Sequence, residues 1–232
     1  MTAEIRRASH RFTDREPGRA TWHSFSFGPH YDPERLAFGP MVCHDEHLLG
    51  RDKGFATHPH SGLDIVTWVV NGALEHTDSI GGSHTIGPGQ VGLLRAGSGV
   101  EHSEVAAAPQ TRFVQVWLTP LDPDLPPAYD VRAAEPGQGR FAEVLRLAPA
   151  RALHAARLEA GQSVTLPEAA RRHLFVVGGA LTRSSLAEPL AAGDSLLLTP
   201  GEGGEDSEGG EGTPVSVSAA VPTDVLLWEL EE

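Results

Sequence analysis

The stretch 54–79, GFATHPHSGLDIVTWVVNGALEHTDS, decides the reading of this chain. Residues 64–70 (DIVTWVV) are rich in β-branched side chains, which pack well on a pleated surface and favour extended backbone. Asn71-Gly72 is a preferred two-residue hairpin turn, and 73–79 reads as the returning strand. Just upstream stand His58 and His60, separated by Pro59. In an extended chain residues two apart point to the same face, so both imidazoles share a face and Pro59 takes the other.

A second couple, His102-Ser103-Glu104, has the same spacing and follows the glycine turn Gly97-Ser98-Gly99. If both segments are strands, three imidazoles and one carboxylate can converge on one point. Three neutral nitrogens and one anionic oxygen suit iron, manganese, nickel, copper, cobalt or zinc. A lone HxH reads as imidazoles on a polar strand face. Two such couples are different, because four polar groups on an inward face are costly unless a metal satisfies them. The same parity places Asp64 on the face of His58 and His60, as a reserve ligand or an acceptor behind the ligands. Glu101 has opposite parity and should lie outside the ligand set, provided that no bulge breaks the alternation.

Outward from this region the signals are strands and turns. Residues 21–27 (TWHSFSF) and 113–119 (FVQVWLT) read as strands, 91–94 is an apolar run, and 32–35 is a turn. Four prolines, Pro123, Pro126, Pro127 and Pro136, mark a linker. Beyond it come 153–159, 163–166, 173–177, 195–199, 215–219 and 225–230, with a similar strand–turn rhythm. The repetition predicts two small β-barrels, 1–125 and 141–232, joined by a linker over 126–140. The acidic, glycine-rich 201–212 cannot bury a core and reads as a mobile hairpin tip, not as a metal tract.

Composition narrows the function classes. The chain has 232 residues, 26 Gly and 18 Pro, which suits an all-β protein with many turns. A net charge of −13 without basic clusters argues against direct nucleic-acid binding. The single cysteine, Cys43, excludes an internal disulfide framework, fits a reducing compartment and reads as a buried apolar residue. The charged N-terminus has no signal-peptide pattern and no window is apolar enough to span a membrane, so a cytoplasmic protein is expected.

The remaining histidines have plainer readings. His154 and His173 are isolated, so a second barrel without metal is expected. His10, His23, His30, His44, His47, His76 and His84 read as surface or packed residues. His23 and His30 carry more weight because they flank the aromatic WHSFSF segment.

The run 54–62 (GFATHPHSG), the run 97–104 (GSGVEHSE), the N-terminal WHSFSF…HYDP and the tail VLLWEL resemble the pirin family. The resemblance is detailed in the first half and rests on strand rhythm alone in the second. It implies a bicupin, two stacked antiparallel β-barrels of jelly-roll type, with one metal in the first. The family's ligands fall on His58, His60, His102 and Glu104. A general cupin places a glutamate soon after its HxH; here Asp64 stands near that place and Glu104 takes the role, as in pirins. The resemblance further implies one divalent metal, Fe(II) first, and quercetin 2,3-dioxygenase activity on a flavonol-like substrate with O2. In that reaction Glu104 would take the flavonol 3-hydroxyl proton, and ring cleavage would release carbon monoxide. Four ligands on an octahedral ion leave two positions for substrate and dioxygen. Phe27, Phe55 and Trp117 are candidate substrate walls. The alternatives are a redox-sensitive regulator acting through a protein partner, and an isomerase or lyase using the metal only as a Lewis acid.

Overall fold

The β-branched run becomes a strand, Asp64–Asn71, but its partner is not the one that the turn predicts. In the computed structural model, which describes residues 1–184, 187–201 and 214–231, this strand pairs antiparallel with Gln90–Arg95 and Thr111–Leu118. Leu74–Asp78 pairs instead with Val100–Ala106 and Ser83–Ile86, in another sheet. The expected hairpin at Asn71-Gly72 is therefore a corner that carries the chain from one sheet to the next. Gly72 has φ 82°, and a Cβ on it would lie 2.7 Å from the Thr111 Cα, so the corner requires glycine. A turn dipeptide sets only the local reversal. The neighbour is chosen by burial, here of Leu74, His76 and Asp78 on the inner face of the second sheet.

The unit Arg11–Ala134 is built from these two sheets. The seven-stranded one runs Ala128–Ala133, Gln90–Arg95, Asp64–Asn71, Thr111–Leu118, Met41–Leu49, Arg19–His23, Phe12–Glu16. The four-stranded one runs Gly54–His60, Val100–Ala106, Leu74–Asp78, Ser83–Ile86. Leu49, Val69 and Phe113 of the first sheet pack on Leu74, Ile86 and Ala106 of the second. The strand Met41–Leu49 (MVCHDEHLL) escapes sequence reading because His44, Asp45, Glu46 and His47 at its middle are polar yet buried. Cys43 beside them is buried as expected.

Two boundaries differ from the sequence expectation. The proposed linker 126–140 contains Ala128–Ala133, a strand paired along Gln90–Arg95, so the units divide after Ala134. Met1–His10 belongs with the second unit, because Thr2–Arg6 adds a strand along Ser195–Thr199 and packs Ala3 and Ile5 on that unit's core. Short prolines-and-turn signals do not reveal pairing to a strand distant in sequence.

The second unit has its own seven-stranded sheet, with a core around Leu158, Leu174, Val176, Leu196 and Leu227. His154 and His173 are buried there, with His154 Nε2 2.8 Å from Glu229 Oε1. Of the acidic stretch 201–212, all but Gly201 lies outside the described residues. Apart from a 3-10 turn at Ala8–His10, every regular element described is a strand, and the architecture is the all-β bicupin fold. Among the described residues no helix is long and apolar enough to cross a membrane.

Candidate metal centre

The two couples lie on adjacent strands, Gly54–His60 and Val100–Ala106, with His58 directly opposite His102. Along the second strand Val100, His102, Glu104 and Ala106 are buried, while Glu101 is exposed, as a period of two requires. The rings of His58, His60 and His102 cluster with centroids 4.5–5.1 Å apart. One ligand atom from each lies within 4.8 Å of the others. Ligands held at about 2.1 Å by one ion are at most about 4.2 Å apart, so a small inward adjustment would close the cluster.

The donor chemistry fits a metal. His60 Nε2 and His102 Nε2 are buried without a hydrogen-bond partner, a costly arrangement unless something accepts their lone pairs. Burial, with the neighbouring histidines' charge adding to it, lowers His60 to about 4 and His102 to about 3, so both are neutral and need release no proton to bind an ion. His58 Nδ1–H donates to the Ala56 carbonyl at 2.7 Å, which leaves the lone pair on Nε2 for a metal.

Glu104 is placed differently from the simplest expectation. Its carboxylate groups with His102 and with His76, a residue that read as surface or packed, rather than with His58 and His60. Between His102 and Glu104 the register with the facing strand slips, so Glu104 stands opposite Phe55. Gln115 Nε2 donates to Glu104 Oε2 at 2.8 Å, and Thr67 Oγ1 donates to Oε1 at 3.4 Å. Burial raises the Glu104 pKa, with these hydrogen bonds working against the rise. Trp117 Nε1–H donates to Gln115 Oε1 at 3.1 Å and so orients the amide whose nitrogen faces Glu104.

Asp64 stands on the seven-stranded sheet, whereas His58 and His60 stand on the four-stranded one. It belongs neither to the histidine groups nor to the cavity beside them. The strand carrying His58 and His60 ends at His60, and a bend with Gly62 at φ 60° precedes Asp64. Parity does not carry across a broken strand.

Beside the cluster is a cavity of about 530 Å³, lined by His58, His60, Glu104 and Gln115 and by the aromatic rings of Phe27, Phe55 and Trp117. Its wall also contains His47, and a polar group in which Asp14 and Asp45 flank His23. Burial opposes a charge on His23, but the hydrogen bonds and charges of Asp45 and Asp14 prevail and raise its pKa. The volume is in the range of small-molecule sites. His47, Asp45, Thr67, Gln115 and His76 carry no local motif; only alternation along their strands could have marked them, and it does not say which sheet faces which.

A two-sheet unit of this kind, with a nitrogen- and carboxylate-rich cluster opening on a cavity of polar and aromatic side chains, defines a class, the cupins. Within it, the family model described as Pirin matches residues 5–118. A protein of Mycobacterium tuberculosis (strain ATCC 25618 / H37Rv), provisionally named quercetin 2,3-dioxygenase, is 36% identical over 99% of this chain and 95% of its own length. The quercetin 2,3-dioxygenase of Escherichia coli (strain K12) is 32% identical over 52% of this chain and 53% of its own. The crystal structure of the bacterial pirin YhhW in complex with nickel(II), from Escherichia coli, superposes with a TM-score of 0.85 at 25% identity, covering 99% of both chains. The chain belongs to the pirin family.

Proposed function

We propose that this protein is a metal-dependent dioxygenase of pirin type that cleaves flavonols such as quercetin at a mononuclear site formed by His58, His60, His102 and Glu104. The observation that carries the reading is the contact between the histidine cluster and the aromatic cavity: His58 and His60 line the same cavity as Phe27, Phe55 and Trp117. The names of the relatives and the nickel in YhhW support a divalent metal and a flavonol-like substrate. Fe(II) is the proposed ion, since the reaction uses dioxygen.

The bound metal would supply Lewis acidity to a substrate oxygen and a means of engaging dioxygen. The chain's own groups do the rest. The rings of Phe27 and Trp117, 5.5 Å apart and edge to face, and Phe55, under the Arg19 guanidinium, offer flat apolar surfaces to a planar substrate. Glu104, whose pKa is raised by burial, accepts the flavonol 3-hydroxyl proton, and Gln115 and Thr67 hold its oxygens in place. With His60 and His102 neutral near pH 7, the cluster is ready to bind an ion without prior proton loss.

The regulator reading requires a closed site beside a charged surface, and the cavity at the cluster favours the enzyme. Protein loaded in turn with iron, nickel, manganese and zinc, then assayed with a flavonol panel in an oxygen electrode, tests the proposal. Oxygen uptake with stoichiometric carbon monoxide and dependence on metal is the expected result. Product without oxygen uptake would indicate an isomerase or lyase. No turnover by any metal form would remove the enzymatic reading.

A further inference from the structure

An imidazole that binds a metal through one nitrogen must have its other nitrogen fixed, because a free ring samples both tautomers and only one presents its lone pair. For His58 the Ala56 carbonyl does this. For His102 the partner is another imidazole: its Nδ1 lies 3.4 Å from Nδ1 of His76, in hydrogen-bond geometry. One proton lies between two such nitrogens, so the bond has a direction that something else must set.

Asp78 sets it. Its Oδ1 accepts the backbone N–H groups of Ile80 at 3.0 Å and Gly82 at 2.8 Å, and its Oδ2 lies 3.1 Å from His76 Nε2. An ionised carboxylate only accepts, so His76 carries its proton on Nε2 and leaves Nδ1 bare. His102 must then donate from Nδ1, which leaves Nε2 bare. That nitrogen is the buried one without a partner.

We propose that Asp78 and His76 form a hydrogen-bond relay that fixes His102 in the Nδ1-protonated tautomer and so presents its Nε2 to the metal. Both are positioning residues, and the proposal rests on reading the histidine cluster as a metal site. The relay is a built structure. The side chains of Asp78 and His76 are fully enclosed, at 0% exposure. Tyr129 lies flat on the His76 ring, with centroids 3.6 Å apart and planes 3° from parallel. A Cβ on Gly82 would lie 2.4 Å from Asp78 Oδ2, and one on Gly92 would lie 2.7 Å from the Tyr129 hydroxyl. Two positions thus leave room that any side chain would take.

The same residues admit a rival use, since His76, His102 and Glu104 could themselves hold an ion. The hydrogen-bond geometry favours the relay: an N–H aimed at the opposite nitrogen lies along the line between the rings, whereas two ligands must aim at a common third point.

Imidazole 15N spectra of the metal-free protein provide the test, with nickel(II) affinity measured by competition with a chelator. In the wild type His102 should be protonated at Nδ1. In Asp78→Asn the Ile80 and Gly82 N–H groups keep the carbonyl oxygen, so the amide NH2 faces His76 and reverses both bonds. His102 should then be protonated at Nε2, and nickel should bind roughly 10–100-fold more weakly. His76→Phe, which keeps a ring against Tyr129 but removes the acceptor, should also weaken nickel. Protonation of wild-type His102 at Nε2 would overturn the relay, even if the variants did not fold. So would a folded Asp78→Asn with unchanged tautomer and affinity, or two nickel ions per chain falling to one in His76→Phe. If the wild type shows the expected tautomer but binds no nickel, the relay is supported and the metal-site reading fails separately.

Discussion

His58 and His102 face each other directly across the pairing of Gly54–His60 with Val100–Ala106, with ring centroids 4.5 Å apart. Each comes from a different motif, and neither strand alone supplies more than two of the clustered rings. The cluster is therefore a property of the pairing, and removing either residue should break it. His58→Ala and His102→Ala should each lose metal by more than the roughly 10–100-fold that loss of a supporting partner costs, with flavonol turnover lost in parallel. Metal analysis after gel filtration checks this. A variant free of metal but fully active would refute the site.

Glu104→Gln separates two roles for one carboxylate. The amide keeps the volume and can still accept a hydrogen bond, but it is a poor ligand and no base. If Glu104 takes the substrate proton, turnover should fall by about 100-fold or more while metal content falls much less. Proportionate losses would make it a ligand only.

Trp117→Phe tests the orientation of Gln115. The ring that faces the cavity stays, and the hydrogen bond from Nε1 to Gln115 Oε1 is lost. Gln115 is then free to turn its amide, and its bonds to Glu104 and Thr67 should weaken. One such bond is worth about 1 kcal/mol, so roughly a 5-fold fall in turnover is expected with little change in KM. A large KM rise with unchanged kcat would assign Trp117 to substrate contact alone.

The buried histidines predict acid sensitivity. His44 and His47 are buried, and burial lowers each to about 4. An unfolded histidine titrates near 6.5, so between pH 6.5 and 4 the unfolded chain binds more protons than the folded one. Stability should therefore fall as pH drops through that window, by about 2 kcal/mol per histidine at pH 5. His23 acts in the opposite sense. Its raised pKa stabilises the fold fully below 6.5, and that contribution is lost as pH rises through the folded value. Urea unfolding of the metal-free protein at pH 7 and pH 5 measures the balance. The balance should favour pH 7, since His60 and His102 add to His44 and His47 while His23 opposes them, and equal stability at the two values would contradict that outcome.

The sequence by itself determined that His58 and His60, and His102 and Glu104, share faces, because alternation in a strand follows from covalent geometry. It also determined that the chain is all-β and of pirin type, since the strand runs, turn residues and motifs are local. Only the tertiary structure decided the neighbours. It turned the Asn71-Gly72 hairpin into a corner, drew Ala128–Ala133 out of the supposed linker, and attached Thr2–Arg6 to Ser195–Thr199. It brought His76 behind His102 and Gln115 beside Glu104, and it put Asp64 on a different sheet from His58 and His60. Periodicity says which way a side chain points, but not what stands opposite. That depends on register between strands far apart in the chain, which the burial of both faces fixes together.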